Sequence, residues 1–220
     1  MTKKLEVEKA LVESISLDIS SNAIELTEVA IDSVLDEGVL QDIPIINSLV
    51  GIYKVGKTIT QKYYIKKIIN FLNTFGSIDE ASKIRFIKEE LSTDKDKEKF
   101  GETILLLIEK ADEIEKSILY AKIFKMHIEH KDFCSYSESI RICKMVDKSF
   151  YDDLLYLIKF QNGDMTNQHI TDELYKNGFL SFGGIDGGTI GGHIEDGGII
   201  YNINKYGEIL KKVLSETEST

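Results

Sequence analysis

The chain has 220 residues, of which 42% are hydrophobic and 29% charged, proportions that are ordinary for a globular protein with one or two buried cores. Its net charge of −10 argues against general nucleic-acid binding, because an acidic surface repels phosphate backbones. Two cysteines cannot form a disulfide framework, and neither a signal peptide nor a long uninterrupted apolar run is visible, so we expect a cytoplasmic protein. The many Lys, Ile and Asn residues suggest a bacterial or phage origin.

Residues 1–148 are predicted to form a multi-helix domain, since apolar residues recur at helical spacing through most of this range. Residues 92–97 are predicted to be a polar loop, with Asp112 as a candidate helix cap further on. The predicted helical stretches are 5–19, 23–35, about 44–74, the segment opened by Ser77-Ile78-Asp79-Glu80 with Ile84, Ile87 and Leu91 facing inward, 100–108, 114–128, and the segment opened by Ser135-Tyr136-Ser137-Glu138.

Residues Gly51 to Thr58 match the phosphate-binding pattern G-x-x-x-x-G-K-[ST]. A nucleotide-binding loop needs a strand before it and a helix after it, but the apolar positions keep helical spacing from Ile45 to Tyr63. We therefore interpret the match as part of a helix and expect no catalytic residues, no cofactor and no enzymatic activity. A P-loop nucleotide-binding protein, with Lys57 on the phosphates, stays as an alternative.

Charge is unevenly distributed, because residues 43–78 contain five lysines and no acid within an acidic chain. A basic, apolar and aromatic segment is typical of a helix that lies on a membrane surface. The alternative is that these lysines pair with acidic residues such as Glu25, Glu28 and Asp32. The candidate membrane-binding or partner-binding residues are Tyr53, Lys54, Lys57, Lys62, Tyr63, Lys66 and Lys67.

Four residues have side chains that suit zinc: His127, His130, Cys134 and Cys143. Their spacing, H-x2-H-x3-C-x8-C, is not that of a standard structural zinc site, and Cys143 falls on the apolar face of a predicted helix. We therefore predict no metal site.

The last third changes character and is predicted to be a small α+β domain over 149–216, followed by a tail at 217–220. The order of elements is helix, turn, helix, strand, glycine-rich segment, strand and helix, which is the order of a winged helix-turn-helix. The predicted fold class is therefore mainly α, with an N-terminal multi-helix domain followed by a small winged-helix-like α+β domain. The predicted elements are a helix from Ser149 to Lys159, a turn at 161–166, a helix at 167–176 ended by Asn177-Gly178, strands at 179–182 and 199–203, and a helix at 205–214 capped by Asn204.

Two fragments, LYKNGFL at 174–180 and YNINKYGEIL at 201–210, resemble segments of the winged-helix family. The resemblance implies a sensing, oligomerisation or DNA-binding domain with a wing between the strands. The predicted recognition helix and the wing carry more acidic than basic residues, so binding of nucleic acid is not expected. The candidate sensing residues of the wing are Gly183, Gly187, Gly191 and His193.

The helical part resembles uncharacterised bacterial proteins, and proteins of this build occur among abortive-infection and phage-defence effectors. The resemblance and the basic segment together suggest a non-enzymatic antiviral defence effector that forms a homo-oligomer. Segment 43–75 would be packed away at rest and would engage a membrane when released, while the C-terminal domain would bind a protein or a signal ligand. The alternative is a winged-helix transcriptional regulator.

Overall fold

The computed structural model describes residues 2–16, 43–53, 58–130, 132–188 and 197–216. Within these ranges the protein is mainly helical, with one two-stranded antiparallel sheet near its C-terminus, which confirms the predicted fold class. The chain divides into two compact units, Met1–Asp132 and Phe133–Thr220. The helix at 136–147, which the sequence prediction placed in the domain 1–148, lies in the second of these units.

The N-terminal unit is built from amphipathic helices whose apolar faces meet in one core. Helix α1 packs against α2 and α5, and α3 packs against α6. The described helices are α1 (Thr2–Ser16), α2 (Pro44–Tyr53), α3 (Ile59–Gly76), α4 (Glu80–Glu90), α5 (Asp94–Lys110) and α6 (Ile114–Glu129).

Aromatic side chains fill the centre of this unit. Phe86 of α4 packs edge-on against Phe100 of α5, with ring centroids 5.7 Å apart, and Phe100 packs in the same way against Phe124 of α6 at 5.4 Å. Phe75 of α3 completes the cluster at 6.5 Å from Phe86. Edge-to-face pairs of this kind add to the stabilisation that burial of the rings provides.

Helices α1 and α5 approach each other closely at Gly101. A Cβ atom at this position would lie 2.3 Å from the backbone oxygen of Glu8, closer than any side chain allows. Glycine is therefore required here by the backbone of the neighbouring helix, although it costs roughly 1 kcal/mol of helix propensity relative to alanine.

The helix at 44–74 that the sequence predicted is not continuous. Helix α2 ends at Tyr53, and Thr58 is extended, with φ −123° and ψ 149°, before α3 begins at Ile59. The Thr58 hydroxyl accepts a hydrogen bond from the Gln61 backbone N–H, as an N-cap does. Helical spacing on both sides of a break is preserved, so periodicity alone did not reveal it.

Three other helix starts in this unit differ from the prediction: two have a different capping side chain, and the third has no side-chain cap. Asp79, and not Ser77, is the N-cap of α4, and Ile84 is 43% exposed. The predicted loop at 92–97 is the first turn of α5, which opens with a capping box between Thr93 and Asp96. Asp112 caps no helix and instead forms an ion pair with Lys116.

The C-terminal unit contains α7 (Tyr136–Asp147), α8 (Tyr151–Lys159), α9 (Gln168–Lys176), strands β1 (Leu180–Asp186) and β2 (Gly198–Ile203), and α10 (Lys205–Ser215). Helix α10 packs against α8, and α9 packs against α8 and both strands. The predicted capping box at Ser135 and Glu138 is confirmed. Ser149 caps no helix, because its hydroxyl donates to the Met145 backbone oxygen at the end of α7.

The predicted helix end at Gly178 and the predicted helix cap at Asn204 are confirmed, and the two residues lie together at the base of the hairpin. Gly178 has φ 90°, and the Phe179 backbone N–H returns to the Leu174 oxygen to close α9. Asn204 caps α10 through its Oδ1 atom, and its Nδ2 donates to the backbone oxygens of Gly178 and Leu180 at 2.8 and 3.1 Å. The strands run further into the glycine-rich segment than predicted, with an irregularity between Phe182 and Gly184.

Candidate functional site

The start of α3 carries the described part of the basic segment. Ile59 is 88% exposed, the highest value among the large hydrophobic side chains of the described residues. Lys62, Tyr63 and Lys66 follow it at steps of three, one and three residues, which places all four on one face of the helix. The opposite face is buried in the core through Ile65, Ile68, Ile69, Phe71, Leu72 and Phe75.

Tyr63 lies beside acidic residues of the α5–α6 connection. Its hydroxyl donates to the Asp112 backbone oxygen at 3.2 Å, and the ring is 37% exposed. Partial burial and the nearby negative charges of Glu115, Glu113 and Asp112 raise the pKa of this phenol above its ordinary value. Tyr63 therefore stays neutral, with its side chain partly exposed to solvent.

Lys67 differs from Lys62 and Lys66 because it is only 3% exposed. Its Nζ donates to the backbone oxygens of Glu109 and Ala111, at 3.0 and 2.6 Å, at the C-terminal end of α5. Burial lowers the pKa of Lys67, while the charges of Glu109 and Asp112 oppose that shift. Its ammonium group is used inside the unit, so Lys67 belongs to the fold and not to an exposed binding surface.

The match to the phosphate-binding pattern begins within helix α2, since Gly51 lies in its last turn. In a P-loop a strand leads into this glycine, whereas here the glycine is part of a helix. Tyr53 is the last residue of α2. Lys54 and Lys57 lie outside the described residues, as do the acidic partners proposed for them, Glu25, Glu28 and Asp32.

The wing candidates divide between described and undescribed residues. Gly183 lies in β1 where a Cβ atom would be 2.7 Å from the Asn202 side-chain nitrogen, so this glycine is required by the cross-strand neighbour. Gly187 follows the end of β1 and has open space around its Cα. Gly191 and His193 lie outside the described residues.

The four residues with zinc-binding side chains have separate environments. His127 is buried with its Nε2 atom 3.2 Å from a Glu90 carboxylate oxygen, whereas His130 is exposed at the end of α6. Cys134 contacts the Ser139 hydroxyl at 3.3 Å. Cys143 is fully buried in α7, and burial raises the pKa of both thiols, while the hydrogen bond with the Ser139 hydroxyl opposes this rise at Cys134. Among the described residues, no three His, Cys, Asp or Glu side chains form a group that could hold a metal ion.

In the described part of the chain, every helix is too short or too polar to cross a lipid bilayer. Comparison of the whole chain with family models, curated proteins and solved structures finds no match.

Proposed function

We propose that the protein is a non-enzymatic, self-associating effector whose N-terminal unit attaches to anionic membrane surfaces through the first two turns of α3. The observation that carries the proposal is the face formed by Ile59, Lys62, Tyr63 and Lys66, which combines an exposed aliphatic side chain, two cations and an aromatic ring. Peripheral membrane helices combine the same three side-chain types.

The apolar part of this segment supports a resting state in which it is packed away. Ile45, Ile46 and Leu49 of α2 are almost fully buried, and α2 packs against α1. Attachment through the start of α3 needs no rearrangement of these residues. Deeper engagement of segment 43–75 would require α2 to separate from α1, which is the release step of the proposal.

Charge supplies most of the expected affinity. Each basic residue close to an anionic membrane contributes roughly 1 kcal/mol, so replacing both lysines costs about 2 kcal/mol, or roughly a thirtyfold loss of partitioning. Burial of the Ile59 side chain in the interface contributes a smaller apolar increment.

Flotation with vesicles tests the proposal. Wild-type protein should float with vesicles of phosphatidylcholine containing 30% phosphatidylserine, on the order of a physiological anionic fraction, and should stay at the bottom with pure phosphatidylcholine. Lys62→Glu/Lys66→Glu should abolish flotation, and Ile59→Ser should weaken it.

The matched control is Lys95→Glu/Lys99→Glu, which makes the same charge change on exposed lysines of α5 in the same unit. This control should float nearly as well as the wild type. If both double variants lose flotation equally, the loss reflects net charge and not the face of α3. If the wild type does not float at low salt, membrane attachment is refuted. Light scattering with and without vesicles measures the proposed self-association.

A further inference from the structure

The C-terminal unit contains a basic pocket of about 520 Å³. Arg141 and Lys144 of α7 line it together with Lys148, which follows that helix, and Lys176 at the end of α9. Tyr206 of α10 lies on another side. The volume falls in the range of pockets that hold small molecules.

The charge of this pocket is opposite to that of the unit around it. Residues 133–220 contain 8 basic and 13 acidic residues, yet 4 of the basic residues and none of the acidic residues line the pocket. Random placement in an acidic unit would bring acids into the lining. The second described pocket of this unit is an example of such mixing, since Asp152 and Lys159 both line it.

The fold brings these cations together from two directions. Arg141, Lys144 and Lys148 recur at steps of three and four and therefore share one face of α7. The sharp turn at Gly178 places the end of α9 against this face, because a Cβ atom there would lie 3.1 Å from the terminal methyl carbon of Met145. Lys176 thus reaches the pocket that α7 opens.

Most of this positive charge is not neutralised within the described residues. Lys176 pairs with Glu173 at 2.7 Å, and the Arg141 guanidinium lies 5.7 Å from the Tyr206 ring centroid. The side-chain ammonium groups of Lys144 and Lys148 form neither a hydrogen bond nor an ion pair with any described residue. The two acids of α7 stay out of the lining, and Glu138 is already bound to Lys205.

Cations that converge without acids repel one another, so the arrangement favours a multiply charged anion. Arginine forms paired hydrogen bonds to phosphate, and lysine supplies point charges beside it. Met145, Ile140 and the Tyr206 ring offer apolar surface next to the charges. We infer that this pocket binds a small ligand that carries two or more phosphate groups.

Such a ligand can be a nucleoside polyphosphate or an inorganic polyphosphate, and titration calorimetry in EDTA distinguishes them. ATP, inorganic triphosphate and adenosine are the probes, and no lipid is present, so the outcome is independent of vesicle attachment. ATP or triphosphate should bind and adenosine should not. Tighter binding of ATP than of triphosphate identifies the nucleoside form, and equal binding identifies the inorganic form.

Lys144→Glu/Lys148→Glu should weaken binding of the phosphorylated probe at least about tenfold, because two attractive charges become repulsive. The matched control, Lys159→Glu/Lys212→Glu, changes two exposed lysines of the same unit outside the pocket and should change binding less than about twofold. Circular dichroism of both variants reports whether they fold.

Three results would overturn the assignment. One is that neither ATP nor triphosphate binds the wild type, and another is that the pocket variant binds as well as the control. The third is that Lys57→Ala removes ATP binding while the pocket variant retains it, which would move the site to the phosphate-binding match at 51–58. Binding of duplex DNA through the same lysines, without binding of either phosphate probe, would also replace the proposal with the winged-helix regulator.

Discussion

The two units differ in where their basic residues go. In the N-terminal unit, cations are drawn inward to the C-terminal ends of helices: Lys67 to that of α5, Lys83 to that of α3 and Arg85 to that of α6. Among the described residues of the C-terminal unit this occurs once, where Lys211 donates to the Phe160 backbone oxygen.

Two neutral side chains make important polar connections around the hairpin of the C-terminal unit. Asn204 connects α10 to the end of α9, and Gln168 exchanges two hydrogen bonds with the backbone of Ile199. Four of the 8 basic residues of this unit line its basic pocket. The comparison teaches that the N-terminal unit directs several cations to the ends of its own helices, whereas the C-terminal unit keeps half of its basic residues around one pocket.

The largest expected effect is on the free energy of unfolding, and it tests whether a buried cation at a helix end stabilises the N-terminal unit. Lys67→Met leaves the carbonyls of Glu109 and Ala111 without their donor, and each unsatisfied buried carbonyl costs about 1–3 kcal/mol. We expect the free energy of unfolding to fall by roughly 2–4 kcal/mol. Urea denaturation measures the loss, and Lys95→Met, an exposed residue in the first turn of α5, should change little. A loss below about 1 kcal/mol would mean that the cost of burying the ammonium cancels its hydrogen bonds.

The intermediate effect tests the neutral connections. Asn204→Ala removes an N-cap and the donor to two backbone oxygens, so we expect a loss of about 2 kcal/mol. Asn204→Asp keeps the capping oxygen but not the donor and should lose about half as much. The same denaturation experiment separates the two contributions. Wild-type stability in the Asp variant would show that the hairpin base does not depend on the amide.

The smallest effect concerns a surface ion pair and depends on pH. The Lys205 ammonium, with the backbone N–H and hydroxyl of Ser135, lowers the pKa of Glu138 from 4.5 to about 2. Because the folded pKa is lowered, the stabilisation is present above the unfolded pKa and is lost as pH falls from 4.5 towards 2.

Glu138→Gln should therefore lower the Tm at pH 7 by less than about 4 °C, and the difference should shrink as pH falls through the folded pKa of about 2, where the carboxylate becomes protonated and neutral like the glutamine. Thermal melts of the two proteins across this range measure the difference. A Tm difference that persists at the lowest pH would show that the amide group itself, and not the loss of the negative charge, changes the stability.

Sequence patterns predicted those features that depend on a few neighbouring residues. The capping box at Ser135, the glycine stop at Gly178 and the cap at Asn204 are all local, and all three are confirmed. The polar run at 92–97 concealed a helix start, because charged residues suit both a loop and an exposed first turn. The spacing of Thr93 and Asp96, which form a capping box, was the local signal that could have revealed this helix start.

The candidate sites were harder to predict than the helix caps, because their residues are distant in the sequence and meet only in the folded structure. The spacing of Arg141, Lys144 and Lys148 was visible in the sequence, but Lys176 joins them because α9 ends against α7. Tyr206 joins them from α10, where its ring lies beside Arg141. Lys67 looked like the other lysines of its segment, and only the neighbouring helix end distinguishes it. Periodicity reports which face of a helix is apolar, but it does not report which distant backbone group lies beside a given residue.

The close approach at Gly101 also sets the order in which the chain can assemble during synthesis. Helix α1 leaves the ribosome before α5, and it can pair with α2 early, but the backbone of Glu8 meets its partner only after residue 101 has emerged. Until then the face of α1 that packs against α5 lacks that partner. The N-terminal unit therefore completes its core late in translation, because α1 reaches its final packing only after a helix that is made much later.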